Sequence, residues 1–130
     1  MITLDYADKR PIYEQTKEKL RELIISGVLK AHDKIPSVRE LASSLSINPN
    51  TIQKAYRELE NEGYIYSVAA KGSFVSPREE TEKIRNERAG ELMEILRHYT
   101  EELKFLGVSK EEIIKTVAEI YSQKEENGND

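Results

Sequence analysis

Five polar side chains crowd the start of one segment: Asn48, Asn50, Thr51, Gln53 and Lys54. Asn and Gln can each offer adenine a paired donor and acceptor, while Lys suits a phosphate oxygen or guanine. Ile52, Ala55, Tyr56 and Leu59 recur among and after them at helical spacing, which predicts a helix over about 49–62 with the polar groups on its other face. Arg39, a short way upstream, has the fork geometry to clamp a phosphate or reach a guanine. Downstream, Lys71 adds a cation, and Gly72 permits a close backbone approach to a phosphate or minor groove. The chemistry these types share is recognition of base edges and phosphates. Each has a plainer role when taken alone. Asn48 is first a helix cap, Asn50 and Thr51 can serve the same turn, and Gln53 and Lys54 are ordinary solvent-facing types. Their joint order along the chain favours the functional reading.

The elements that must position them are legible on either side. Pro11 suits a first helical turn, and Tyr13, Thr16, Leu20, Leu23 and Ile24 follow at three-to-four-residue spacing until Gly27. Ser37 and Glu40 form a capping box, so a second helix is predicted from near Ser37 to about Leu45, burying Val38, Leu41, Ala42 and Leu45. Asn48 caps the third helix, Pro49 takes its first position, and Gly63 ends it in a left-handed conformation. Tyr64–Tyr66 and Ser73–Val75 read as a hairpin with its loop at Ser67–Gly72. Ile2, Thr3 and Leu4 carry a weak strand signal ahead of all this. Beyond Pro77, a charged segment from Arg78 to Arg88 leads to a long helical pattern with Leu92, Ile95, Leu96, Tyr99, Leu103 and Leu106, closed by Gly107. A second capping box at Ser109 and Glu112 opens a helix with Ile113, Ile114, Val117, Ile120 and Tyr121 on one face. Lys124 to Asp130 read as frayed. The fold class is mainly α with a small β wing: a winged helix-turn-helix over 1–78, then a two-helix extension over 79–130.

Composition sets limits on function. The 130 residues suffice for one domain and a small appendage, and 38% hydrophobic with 34% charged content fits a soluble chain. No apolar run approaches the roughly 20 residues that span a bilayer. The N-terminus lacks the pattern of a secretory signal, and there is no Cys, so cytoplasmic residence is expected. The net charge of −4 is unevenly spread: 12 Lys and Arg face 10 Asp and Glu up to Arg78, against 8 and 14 beyond it. The acidity belongs to the C-terminal part, and screening confines its reach to about 8 Å at physiological salt. Only two histidines are present, His32 and His98, with no thiol and no Gly-rich phosphate cradle, so no nucleophile and base can be paired. His98 near Glu94, Glu101 and Glu102 is more commonly an exposed helix histidine than a metal ligand. No enzyme, cofactor or metal is read from the sequence.

With these residues in view, Pro11–Val75 resembles the DNA-binding domain of GntR-type bacterial transcription regulators. The resemblance is carried by PIYEQ at Pro11–Gln15, by Ile-Pro-Ser-x-Arg-x-Leu-Ala at Ile35–Ala42, by Thr51-Ile52, and by Gly-Ser-Phe-Val at Gly72–Val75. INPNTIQKAYRELENEG at Ile47–Gly63 is most similar to the YtrA-type subfamily, which implies a short two-helix C-terminal extension. The resemblance implies DNA contact by Arg39, the Asn48–Lys54 turn and the Lys71-Gly72 wing tip. Ala31-His32 replaces the usual Pro-Gly, which predicts a looser loop, and Ala69-Ala70 replaces common glycines, which predicts a stiffer tip. Pro49 stands where many relatives outside the subfamily place a contacting Arg.

Two amphipathic helices of about 40 residues cannot bury their own apolar stripes, and a second copy is the simplest cover. The dimer residues are then Leu92, Ile95, Leu96, Tyr99, Leu103, Leu106, Ile113, Ile114, Val117, Ile120 and Tyr121. A twofold dimer sets two recognition helices about 34 Å apart on one face of a duplex and implies a pseudo-palindromic operator. The functional reading is a sequence-specific DNA-binding transcription regulator, a dimeric repressor with double-stranded DNA as partner, no membrane, and an effector the residues do not identify. The alternative is a winged-helix protein-interaction module without DNA binding, which needs an exposed apolar patch in place of the polar helix face.

Overall fold

The computed structural model describes residues 2–128, with side chains as far as residue 123. Its contacts divide the chain into two units, Met1–Arg88 and Ala89–Asp130.

The first unit begins without the weakly signalled strand: residues 2–4 are irregular and, among the described residues, do not pair with the two-stranded sheet. Helix α1, Ile12–Ile25, takes Pro11 as its N-cap and buries Gln15, Thr16, Leu20 and Ile24. Buried Gln15 is tolerated because its amide is satisfied. It accepts from Asp5 N at 2.9 Å and donates to the carbonyls of Asp5 and Arg10 at 3.0 and 3.2 Å.

Helix α2, Val38–Leu45, starts on the predicted capping box: Ser37 Oγ accepts from Glu40 N at 3.1 Å, and Glu40 Oε1 accepts from Ser37 N at 3.3 Å. These Ser37 contacts hold the Glu40 carboxyl below its ordinary range. Ser46 turns the chain in a left-handed conformation, φ 56°, and Asn48 caps helix α3, Pro49–Glu62. Gly63 ends α3 with φ 93°.

Strands β1, Ile65–Val68, and β2, Gly72–Val75, pair antiparallel from Ile65↔Val75 to Val68↔Gly72. The hairpin is thus longer than predicted, and its tip shrinks to Ala69–Lys71. Ala70 there has φ 66°, and Lys71 N donates to Val68 O at 3.0 Å.

The loop between α1 and α2 is tied down, where Ala31-His32 had predicted looseness. His32 N donates to Val75 O at 2.8 Å, Val75 N to Asp33 O at 2.9 Å, and Ile35 N to Ser73 O at 3.0 Å, so residues 32–35 line β2 like a third strand. His32 itself adopts φ 67°, and its Nδ1 lies 2.8 Å from the Tyr66 hydroxyl. Tyr66 stacks in turn on Phe74 at 5.7 Å.

The core joins Leu20 and Ile24 of α1, Ile35 of the following loop, Leu41 and Ala42 of α2, Ile52, Tyr56 and Leu59 of α3, and Tyr64, Ile65 and Val75. Tyr56 anchors its polar end by donating to Pro36 O at 2.7 Å, and burial pushes its phenol well above the ordinary value.

Helix α4, Arg78–Phe105, opens directly after Pro77. The charged Arg78–Arg88 segment is therefore helix, not a lead-in to one. Thr81 is buried and Ile84 packs against the core, which carries the first unit past the predicted boundary at 78 to Arg88. Arg78 Nη1 donates to the carbonyls of Ile24 and Ile25 at 3.2 and 3.1 Å, satisfying acceptors that the end of α1 leaves open.

In the second unit Gly107 breaks the helix with φ 87°, and the Ser109 hydroxyl accepts from Glu112 N at 3.1 Å ahead of α5, Lys110–Gly128. No residue from 89 to 123 is buried. The predicted fraying at 124–130 lies outside the described side chains, and its last two residues lie outside the described residues altogether. Among the described residues no helix is long and apolar enough to cross a membrane.

Two left-handed residues make opposite predictions. At Gly63 a Cβ would meet Ile84 Cδ1 at 2.9 Å on a φ of 93°. Gly63→Ala is expected to lose at least about 1–2 kcal/mol in urea unfolding, the left-handed backbone penalty alone. Ala70→Gly relieves the same kind of penalty at the wing tip and is expected to gain about 0.5–1 kcal/mol by the same measurement.

Candidate nucleic-acid interface

Burial fixes the rotation of α3. Ile52, Ala55 and Leu59 are 0% exposed and Tyr56 is 4% exposed, so the opposite face must point to solvent. That face presents Asn50, Gln53, Lys54 and Arg57, all exposed, with Thr51 half-buried at its margin. Asn48 serves the fold first: its Oδ1 accepts from Asn50 N at 2.8 Å, leaving the amide NH₂ to offer a ligand. Arg39 is exposed on the first turn of α2, and Lys71 on the hairpin tip. Among the described residues, the side chains of Arg39, Asn50, Gln53 and Lys71 have no hydrogen-bond partner within the chain. Such unpaired donors and acceptors on a rigid frame suit base edges and phosphates.

The structure gives Gly72 a second reason to be glycine. Its φ is 122°, and a Cβ there would meet Lys34 Cε at 3.0 Å. The stem of Lys34 therefore crosses the start of β2, adding a cation beside the wing. Sequence reasoning missed Lys34, because only the Lys34↔Phe74 bridge, a tertiary pairing, brings it there.

It also missed what α1 does for α3. The Lys54 ammonium lies 3.8 Å from the centre of the Tyr13 ring, a cation–π contact that holds the charge without neutralising it. One turn along α1, Lys17 Nζ binds Glu58 Oε1 at 3.1 Å and Glu62 Oε2 at 2.8 Å. Burial pulls the Lys17 ammonium down, but the hydrogen bonds to Glu62 and Glu58 outweigh it and leave it above its ordinary value. Glu60 is engaged elsewhere, accepting from the Ser67 amide at 3.0 Å and the Ser67 hydroxyl at 3.2 Å. The available signal in the sequence was the four-residue spacing of Tyr13 and Lys17 against that of Lys54, Glu58 and Glu62.

The second unit carries the apolar residues singled out from sequence, and they stay uncovered. Leu92, Ile95, Leu96, Tyr99, Leu103, Leu106, Ile114, Val117, Ile120 and Tyr121 are exposed, and Ile113 is half-buried. Met93 and Phe105 join them. Thr100, Lys104, Val108, Lys110, Ile113 and Ile114 line an open groove of about 510 Å³, so two helices do frame a space of small-ligand size. His98 packs edge-on to Tyr99 at 5.4 Å, and no cluster of metal-ligating side chains occurs among the described residues.

Comparisons with known proteins bear on this geometry. Residues 12–75 match the family described as bacterial regulatory proteins, gntR family. The chain is 37% identical over 120 residues to the HTH-type transcriptional repressor YtrA of Bacillus subtilis (strain 168), covering 92% of each chain. A solved GntR family transcriptional regulator from Listeria monocytogenes superposes with a TM-score of 0.67 at 38% identity, over 89% of this chain and 98% of that one. The DNA-binding domain of AraR, solved in complex with operator ORR3, superposes with a TM-score of 0.51 at 34% identity, over 57% of this chain and 89% of that one.

Proposed function

The chain belongs to the gntR family of bacterial regulatory proteins, and from that premise we propose that it is a sequence-specific DNA-binding transcription regulator of the YtrA type, acting as a repressor. The observation that carries the proposal is the exposed, unpartnered polar face at the start of α3, held in place by a fully buried stripe behind it. In this reading α3 enters the major groove. Asn50 and Gln53 address base edges, Thr51 and the NH₂ of Asn48 support them, and Lys54 and Arg39 take phosphates or guanine. Lys71, next to Gly72, and Lys34 place two cations where the wing would meet the flanking backbone. Likeness to a domain solved on its operator supports this placement of the helix. The protein-interaction alternative has no counterpart on this surface. Within residues 2–88 the exposed large apolar side chains are Tyr6, Val28 and Val68, and none lies on α3.

The functional unit is a homodimer. A soluble monomer rarely leaves an apolar patch beyond a few hundred Å² in water. Here ten of the predicted apolar side chains from Leu92 to Tyr121 are exposed, Tyr99 at 58% and Leu106 at 69%, and none is buried. A second copy offers the same stripe in return, so a twofold interface covers both. Two α3 helices then address two half-sites of one operator.

Operator fragments selected from random DNA make both halves testable. Arg39→Ala, with an unchanged circular dichroism spectrum, is expected to bind at least about tenfold more weakly and, if Arg39 holds a phosphate, to lower the log–log salt slope by about one per half-site. A folded variant that binds like the parent removes Arg39 from the interface. In sedimentation at low micromolar concentration the expected species has twice the 15.0 kDa chain mass, and Leu96→Glu is expected to shift it to monomer. A strictly monomeric parent contradicts the dimer.

A further inference from the structure

Helix α3 carries its own potential inhibitors. Lys54 and Arg57 share it with Glu58, Glu60 and Glu62. Lys54 and Glu58 stand four residues apart, and Arg57 and Glu60 three, the spacings at which opposite charges pair along a helix. Neither pair forms. Glu58 and Glu62 both go to Lys17, Glu60 goes to Ser67, and the Lys54 ammonium rests on the Tyr13 ring.

We propose that Lys17 is a positioning residue for DNA recognition: by holding Glu58 and Glu62 it keeps the Lys54 ammonium available for DNA, with the Tyr13 ring as its platform. This rests on the reading that Lys54 contacts DNA. The two possible partners of Lys54 differ in kind. A carboxylate cancels the ammonium's charge, whereas an aromatic face holds the ammonium and leaves its charge to attract a phosphate. The Lys17 side chain is 16% exposed, so its ion pairs are screened less than pairs at the outer surface. The same α1 stripe therefore sorts the charges of α3: acids are taken up by the scaffold, and cations are left outward.

The test uses the full chain and a selected operator duplex, with affinity measured by fluorescence anisotropy across a salt series. Lys17→Met keeps the packing stem and removes the charge. It is expected to weaken binding about three- to fivefold, one lost contact in each half of a dimer, and to lower the salt slope. Glu58→Gln alone is expected to bind like the parent, and Lys17→Met/Glu58→Gln to return to parental affinity and slope. Adding Lys17→Met to Lys54→Met is expected to change nothing further. If Lys17→Met binds like the parent while Lys54→Met is weakened, the positioning role is overturned and the Lys54 contact stands. If Lys54→Met binds like the parent, the Lys54 contact itself fails. A weakened Lys17→Met that Glu58→Gln does not restore also overturns the proposal, since Lys17 then touches DNA directly or only stabilises the fold. Should Lys17→Met melt below the assay temperature, Tyr13→Leu replaces it. Loss of the ring lets Lys54 turn to Glu58, and restoration by Glu58→Gln is again expected; no restoration overturns the proposal.

Discussion

Everything the first unit offers a ligand depends on one constraint, the complete burial of a single stripe of α3. Ile52, Ala55, Tyr56 and Leu59 meet Leu20 and Ile24 of α1, Leu41 and Ala42 of α2, and Ile65 and Val75 of the hairpin in one core. Burying side chains of this size contributes about 1.5–3 kcal/mol each, far more than any exposed polar contact returns. Rotating α3 by even one residue would bring polar groups into that core. Its outward face is thus decided by apolar packing, and recognition chemistry inherits a fixed orientation without having to stabilise it.

A second layer of polar contacts refines that orientation. The Tyr56 hydroxyl on Pro36 O fastens α3 to the residue before the α2 cap, and Glu60 fastens it to β1 through Ser67. Residues 32–35 run along β2 and brace the hairpin from its other side. Lys17 closes the remaining side by crossing from α1 to Glu58 and Glu62. Helix, hairpin and loop are thereby referenced to one frame, which is what a surface needs if side chains on different elements are to meet one rigid duplex.

Much of this was legible in the sequence because local chemistry dictated it. The Ser37–Glu40 box, the Asn48-Pro49 start and the Gly63 stop fell where capping rules put them, and the four inward residues of α3 followed from helical spacing. The failures share a cause: each depended on a partner distant in the chain. Residues 2–4 looked strand-like but found no strand to pair with. Arg78–Arg88 looked like a charged connector, yet Thr81 and Ile84 had a core to pack on. Ala31-His32 suggested slack, but His32 is held by Tyr66 and Val75, more than thirty and forty residues away in sequence. Among the candidate DNA contacts, Arg39, Asn50, Gln53, Lys54 and Lys71 carried local signals, and the fold leaves all five exposed. Lys34, Tyr13 and Lys17 carried none, because their roles exist only once α1 and β2 are in place.

The central claim is that the outward face of α3 and the flanking cations form the surface that meets DNA. Backbone and side-chain chemical shifts, followed by nuclear magnetic resonance as a selected operator duplex is titrated in, test it most directly. Specific shifts are expected at Asn50, Gln53, Lys54, Arg39, Lys34 and Lys71, with the buried stripe of α3 little changed. Shifts confined to residues 89–123, with the start of α3 unperturbed at saturation, would contradict it.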